Sequence, residues 1–147
     1  MFHKNLAWVA TVFACFLVLS CSNEQKFDVL DSDPVALLVD DRTVFINYWA
    51  VWCGPCIEEM PVLAEFRTQN IERVEVYGVN FDNPTPDQLR ADIAKLKVEI
   101  PNLLNDPAPA LGIITPQVLP STLVIKDGEV VDVLIGLQTH NSLLEAI

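Results

Sequence analysis

The chain has 147 residues, a length that suits one domain. Half of it (51%) is hydrophobic and 20% is charged, which fits a packed core and excludes a largely disordered chain. Twenty acidic residues against nine basic ones give a formal charge of −11, the wrong sign for a nucleic-acid binder or for electrostatic attraction to anionic lipid.

His3 and Lys4 open the chain, and Leu6 to Leu19 then runs fourteen residues without a charge. A helix of that length spans about 21 Å, short of the roughly 30 Å hydrocarbon core. The stretch therefore reads as a secretory signal rather than a permanent transmembrane helix. Val18-Leu19-Ser20-Cys21 resembles the bacterial lipobox, in which cleavage falls before a cysteine that receives lipid. The expected organisation is a signal peptide over residues 1–20, a lipidated Cys21 with a tether over 21–26, and one domain over 27–147. Export also places the chain in an oxidising compartment, where a dithiol can cycle.

Phe27 to Leu30 reads as an edge strand and Pro34 to Val39 as a short helical turn. Asp31, Asp33, Asp40 and Asp41 lack the spacing and glycine of a calcium loop and read as a solvated acidic face. Val44 to Trp49 (VFINYW) is β-branched and aromatic, the pattern of a buried strand. A helix follows, with Cys56, Met60, Leu63, Ala64 and Phe66 along one face, and its pattern continues past Pro61. Val74 to Phe81 alternates as a second strand. Thr85 caps a helix that starts at Pro86 and carries Leu89, Ile93 and Leu96 as its stripe. Val98 to Leu104 holds a further short strand, and Asp106 to Leu111 at most one helical turn. Ser121 to Ile125 and Glu129 to Ile135 form a hairpin about Lys126-Asp127-Gly128. Thr139 caps a last helix over Asn141 to Ile147.

The chemistry sits at Trp52-Cys53-Gly54-Pro55-Cys56, a C-x-x-C pair between a strand and a helix. Cys53 falls at the helix N-terminus, where unpaired N–H groups and the helix dipole favour a thiolate. Cys56 lies one turn on, within reach of Cys53, and can resolve a mixed disulfide. Three other readings remain: a zinc half-site, an inert disulfide or two buried free thiols. Structural zinc needs four ligands, whereas the mature chain offers Cys53, Cys56, the lipid-blocked Cys21 and His140. A bond across so short a loop removes little unfolded-state entropy.

Residues Asn47 to Pro61 (NYWAVWCGPCIEEMP) resemble the active-site segment of the thioredoxin superfamily, above all the TlpA/ResA-like tethered thiol-disulfide oxidoreductases. Val76 to Asn80, Leu119-Pro120-Ser121-Thr122, Lys126-Asp127-Gly128 and Gly136 extend the likeness, which covers roughly residues 40–147. The resemblance implies an α/β thioredoxin fold: a central mixed sheet flanked by helices, with a helix-plus-strand insertion over about residues 82–105. It implies that Cys53 attacks, Cys56 resolves, and a cis Leu119–Pro120 bond faces the dithiol. Trp52, Gly54, Pro55, Leu119 and Pro120 would then contact substrate. Asn47 stands where thioredoxin has a buried acid and cannot titrate. Glu59 stands where ResA-like proteins carry a buried glutamate, although residue chemistry alone also allows a solvated carboxylate like Glu58.

The expected activity is reduction of disulfides in client proteins, without metal, flavin or nucleotide, by a lipid-anchored monomer on the periplasmic side of a bacterial membrane. A membrane thiol reductant carrier would recharge it. Relatives of this kind serve cytochrome c biogenesis or rescue wrong disulfides. A disulfide oxidase or isomerase on the same site is the first alternative, and a copper metallochaperone using Cys53 and Cys56 the second.

Overall fold

The computed structural model describes residues 25–38 and 41–147. The expected signal peptide, Cys21 and residues 22–24 of the expected tether lie outside the described residues. Among those described, no helix is long and apolar enough to cross a membrane.

Five strands form one mixed sheet in the order β5-β4-β3-β6-β7. The central strand β3 (Thr43–Trp49) is buried along its whole length, as its run of β-branched and aromatic residues requires. It pairs in parallel with β4 (Val74–Asn80) and antiparallel with β6 (Ser121–Lys126). Beyond β4 lies the two-residue β5 (Asn102–Leu103), and beyond β6 the edge strand β7 (Glu129–Ile135). Asp127 and Gly128 both take positive φ (50° and 77°), which closes the β6–β7 hairpin in the geometry that matches strand twist.

Helix α1 (Gly54–Gln69) returns the chain from β3 to β4 and runs through Pro61. Helix α2 (Pro86–Leu96) starts on Thr85, whose hydroxyl accepts from Gln88 N–H at 3.3 Å. Helix α3 (His140–Glu145) starts on Thr139, which exchanges hydrogen bonds with Ser142 in a capping box. All three helices bury side chains in the cluster on one face of the sheet: Met60, Leu63 and Phe66 from α1, Leu89 from α2 and Leu143 from α3, against Phe45, Trp49, Val74, Val76 and Val124. The opposite face (Ile46, Tyr48, Tyr77, Val79, Leu123, Ile125) is closed by Val29, Leu37 and Ala108 from non-helical segments.

Three local expectations change. The turn expected over Pro34 to Val39 does not form among its described residues: Val35–Ala36 is a strand, β2, paired antiparallel with β1 (Lys26–Phe27). The pairing puts Leu37 into the core at zero exposure, which outweighs local preference. Lys26 thus belongs to a strand rather than to the tether. The expected edge strand at Phe27 to Leu30 divides: Phe27 pairs with Val35, while Val29 bridges Leu103 and extends the main sheet past β5. At 106–111 the single turn expected there does form, with Leu111 N–H donating to Pro107 O (3.0 Å), and the chain leaves it at Gly112, whose φ is +75°.

Gly78 shows how tightly the helix face is packed. Trp49 Nε1 donates to Asn102 Oδ1 at 2.8 Å, and Asn102 Nδ2 donates to Ile100 O at 2.8 Å. A Cβ on Gly78 would sit 2.6 Å from Asn102 Oδ1 and 3.0 Å from Trp49 Nε1. Gly78→Ala should therefore break this buried pair and cost roughly 2–4 kcal/mol, measured by urea denaturation. An unchanged denaturation midpoint would show that the Trp49–Asn102 pair adapts without loss.

Candidate active site

Cys53 and Cys56 are joined by a disulfide at the mouth of α1. Cys53 is the N-cap of the helix, and its Sγ accepts the Cys56 N–H at 3.3 Å. One of the unpaired N–H groups at the helix start therefore points at the sulfur that the sequence singles out as nucleophile. Cys56 is wholly buried and Cys53 is 6% exposed, while Gly54 and Pro55 stand in solvent above them. Among the described residues these are the only cysteines.

Trp52 is 62% exposed, and its Nε1 donates to Asp82 Oδ2 at 2.8 Å. An Asx turn presents that carboxylate: Asp82 N–H donates to Asn80 Oδ1 at the end of β4. The Leu119–Pro120 bond is cis, with Pro120 buried and Leu119 partly buried. Gly136 N–H donates to Pro120 O at 2.8 Å, so the segment after β7 lies against the proline. The preceding loop is held by Asp106, which accepts from Tyr48 Oη at 2.6 Å and also from the Thr115 hydroxyl. Burial, reinforced by the Asp106 carboxylate, holds the Tyr48 phenol well above its usual range.

Glu59 is 1% exposed, three residues after Cys56 on the same helix face, whereas its neighbour Glu58 is exposed. Its Oε1 accepts from Asn47 Nδ2 at 2.6 Å and its Oε2 from Gln138 N–H at 2.8 Å. Burial raises the carboxyl above its ordinary value, and these two donors act in the opposite direction. Asn47 Nδ2 also reaches Thr122 Oγ1 at 3.0 Å, while Asn47 Oδ1 is buried with no partner. The non-titrating Asn47 is thus a hydrogen-bond partner of Glu59. His140 is removed from these groups, its ring edge-on to Phe66 with centroids 5.6 Å apart.

Sequence reasoning missed Gln138, Asp82 and Asp106. Only the first lay beside a recognised signal, the cap at Thr139.

A Cys-x-x-Cys disulfide on the first turn of the helix that follows the central strand of a mixed sheet, in a chain with a cis X–Pro bond just before β6, marks a member of the thioredoxin superfamily. The model of the AhpC/TSA family matches residues 26–133, and the chain belongs to that family. It is 31% identical over 104 residues to the thiol-disulfide oxidoreductase ResA of Bacillus cereus, covering 69% of this chain and 60% of that relative's length. It is 32% identical over 113 residues to a thioredoxin of Rickettsia prowazekii, covering 76% of this chain and 84% of that one. Among solved structures, StoA from Bacillus subtilis superposes with a TM-score of 0.68 at 19% identity, over 82% of this chain and 93% of its own. A DsbF homologue from Corynebacterium diphtheriae gives 0.68 at 24% identity, over 84% and 82%. These structures share the thioredoxin fold.

Proposed function

We propose that this chain is an extracytoplasmic thiol-disulfide oxidoreductase that reduces cysteine pairs of client proteins through Cys53 and Cys56. The observation that carries this reading is the Cys53–Cys56 pair capping α1 with a buried carboxylate on the same helix face. In the reduced form the Cys53 thiolate attacks one sulfur of a client disulfide. A mixed disulfide forms and the other client sulfur leaves as a thiolate. Cys56, losing its proton to Glu59, then attacks Cys53 Sγ, closes the Cys53–Cys56 disulfide and releases the second client thiolate. Two electrons pass to the client, and a membrane dithiol carrier returns two to the protein.

The Gly54-Pro55 dipeptide, shared with reducing thioredoxins, favours the reducing direction. Trp52, Gly54, Pro55, Leu119 and Pro120 form the client-binding surface, with the exposed Trp52 ring to one side of the dithiol. The apolar leader and the Ser20-Cys21 junction support export and lipid anchoring at Cys21, on the periplasmic side of a bacterial membrane. One structural neighbour, from Corynebacterium glutamicum, is itself described as a secreted thiol-disulfide isomerase.

The test is the reduction potential of the pair in the form lacking residues 1–21, equilibrated against graded dithiol/disulfide buffers. The expected value lies near that of thioredoxin, about −270 mV. A value near −120 mV would make the protein an oxidant. Absence of any reversible couple would remove the exchange reading, and copper binding would be tested next.

A further inference from the structure

Gln138 lies in the four-residue link from β7 to α3, where the Thr139–Ser142 box already caps the helix. A surface link has no need of a buried amide, yet Gln138 is only 6% exposed and uses its backbone N–H and both side-chain polar atoms. Its backbone N–H donates to Glu59 Oε2 at 2.8 Å. Its side-chain Nε2 turns back to donate to Gly136 O at 2.7 Å, and its Oε1 accepts from Ser142 Oγ at 2.9 Å. Gly136, at φ +86°, makes a bend that L side chains rarely adopt, and its own N–H holds Pro120 O. The strap 136–138 therefore touches the buried carboxylate at one end and the cis-proline at the other. The Gln138 side chain closes it into a ring.

We infer that Gln138 is a positioning residue for thiol-disulfide exchange, its side chain clamping one strap so that Glu59 and the cis-proline wall keep a fixed relation. The inference rests on the exchange function proposed above. The groups that reach Glu59 are few. Asn47 faces it from β3, with Thr122 of β6 behind the Asn47 amide, and the strap gives the Gln138 N–H. On its own helix the titratable neighbours are Cys56 and the solvated Glu58, and α3 turns His140 toward Phe66 instead. A loosened strap thus removes one of two donors that favour the ionised carboxylate. The proton affinity of Glu59 rises, and the step in which Cys56 gives up its proton moves with it.

The experiment is the pH dependence of disulfide reduction, with insulin as probe, for the wild type, Gln138→Met, Ser142→Ala and Ser142→Thr, each with and without Glu59→Gln. Gln138→Met keeps the side-chain length and removes both of its hydrogen bonds. The midpoint should move alkaline by about one pH unit, the size expected for one hydrogen bond to a charged group. Ser142→Ala should move it the same way by less, and Ser142→Thr should restore it. No variant should move the midpoint further once Glu59 is Gln.

A merely structural role lowers the melting temperature and leaves the midpoint in place, and that result overturns the inference. So does a shift of equal size with and without Glu59. If Gln138→Met does not fold, the Ser142 pair decides by the same criteria. An unmoved midpoint together with loss of exchange in Cys53→Ser overturns the strap and leaves the dithiol function standing. Exchange that survives Cys53→Ser overturns both.

Discussion

Replacing Cys56 with Ser is expected to turn the protein into a trap that carries client proteins as mixed disulfides on Cys53. The nucleophile survives the change because the group that supports it belongs to the backbone. The N–H of residue 56 donates to Cys53 Sγ, and serine keeps that N–H and the first turn of α1. What disappears is the buried sulfur one turn along, the only thiol among the described residues that could attack the mixed disulfide from within. Well-placed intramolecular groups act at effective concentrations far above any external thiol. Resolution by millimolar thiols should therefore be slower by at least roughly 10³-fold. Non-reducing gels and mass spectrometry of the captured species would show clients on Cys53. Cys53→Ser should give neither turnover nor adducts, because Cys56 has no exposed surface through which a client sulfur can approach. Adducts on Cys56 in that variant would reverse the assignment of attacking and resolving sulfurs. A Cys56→Ser protein with no adducts at all would count against the mechanism.

The parts of the fold that could be read from sequence are those whose burial follows a local period. Val44 to Trp49 reads as a buried strand because every residue of it is one, and β3 begins only a residue earlier, at Thr43. The caps at Thr85 and Thr139 were legible because a hydroxyl three residues before a free N–H is a local event. Residues 26–38 were not. Two-residue strands carry no period, and their pairing is fixed by distant partners: Leu103 for Val29 and the far face of the sheet for Leu37.

The site divides in the same way. Cys53 and Cys56 announce themselves by spacing, whereas Glu58 and Glu59 are indistinguishable as letters. One residue along a helix is a turn of about 100°, and that rotation leaves Glu58 in water and aims Glu59 at Asn47. Gln138 is 79 positions from Glu59, and its role exists only once β7 and α3 have brought it there. Family resemblance supplied Glu59; only the folded chain could supply Gln138.

Glu59→Gln is expected to make the protein more stable at alkaline pH while slowing exchange. The carboxyl is buried and its folded pKa lies above the unfolded value. A group raised in this way adds stability in full below the unfolded value, about 4.3 for glutamate, and that contribution is lost as pH rises through the folded value. Above that point the folded wild type holds an ionised carboxylate with two hydrogen bonds and little solvent. Glutamine carries no charge to bury. Its Oε1 can take the Gln138 N–H, and its amide can donate to Asn47 Oδ1, the buried atom that now has no partner, once the Asn47 amide turns over. The turned amide places Asn47 Nδ2 where Oδ1 now lacks a partner, so the gain comes from the missing charge and not from an added hydrogen bond. The gain should be small near pH 4, where both side chains are neutral, and grow toward pH 8 to on the order of 1–2 kcal/mol. For a domain of this size that is a rise of roughly 3–8 °C in melting temperature. Exchange should slow without ceasing, because water can still take the Cys56 proton, and the pH dependence that Glu59 imposes should flatten. Melting curves of both proteins across that pH range test the first part, since every other titrating group is common to the two and cancels. A variant less stable than wild type at pH 8 would mean that the two hydrogen bonds to the carboxylate outweigh its burial. An unchanged pH–rate profile would remove Glu59 from the proton path, whatever the melting curves show.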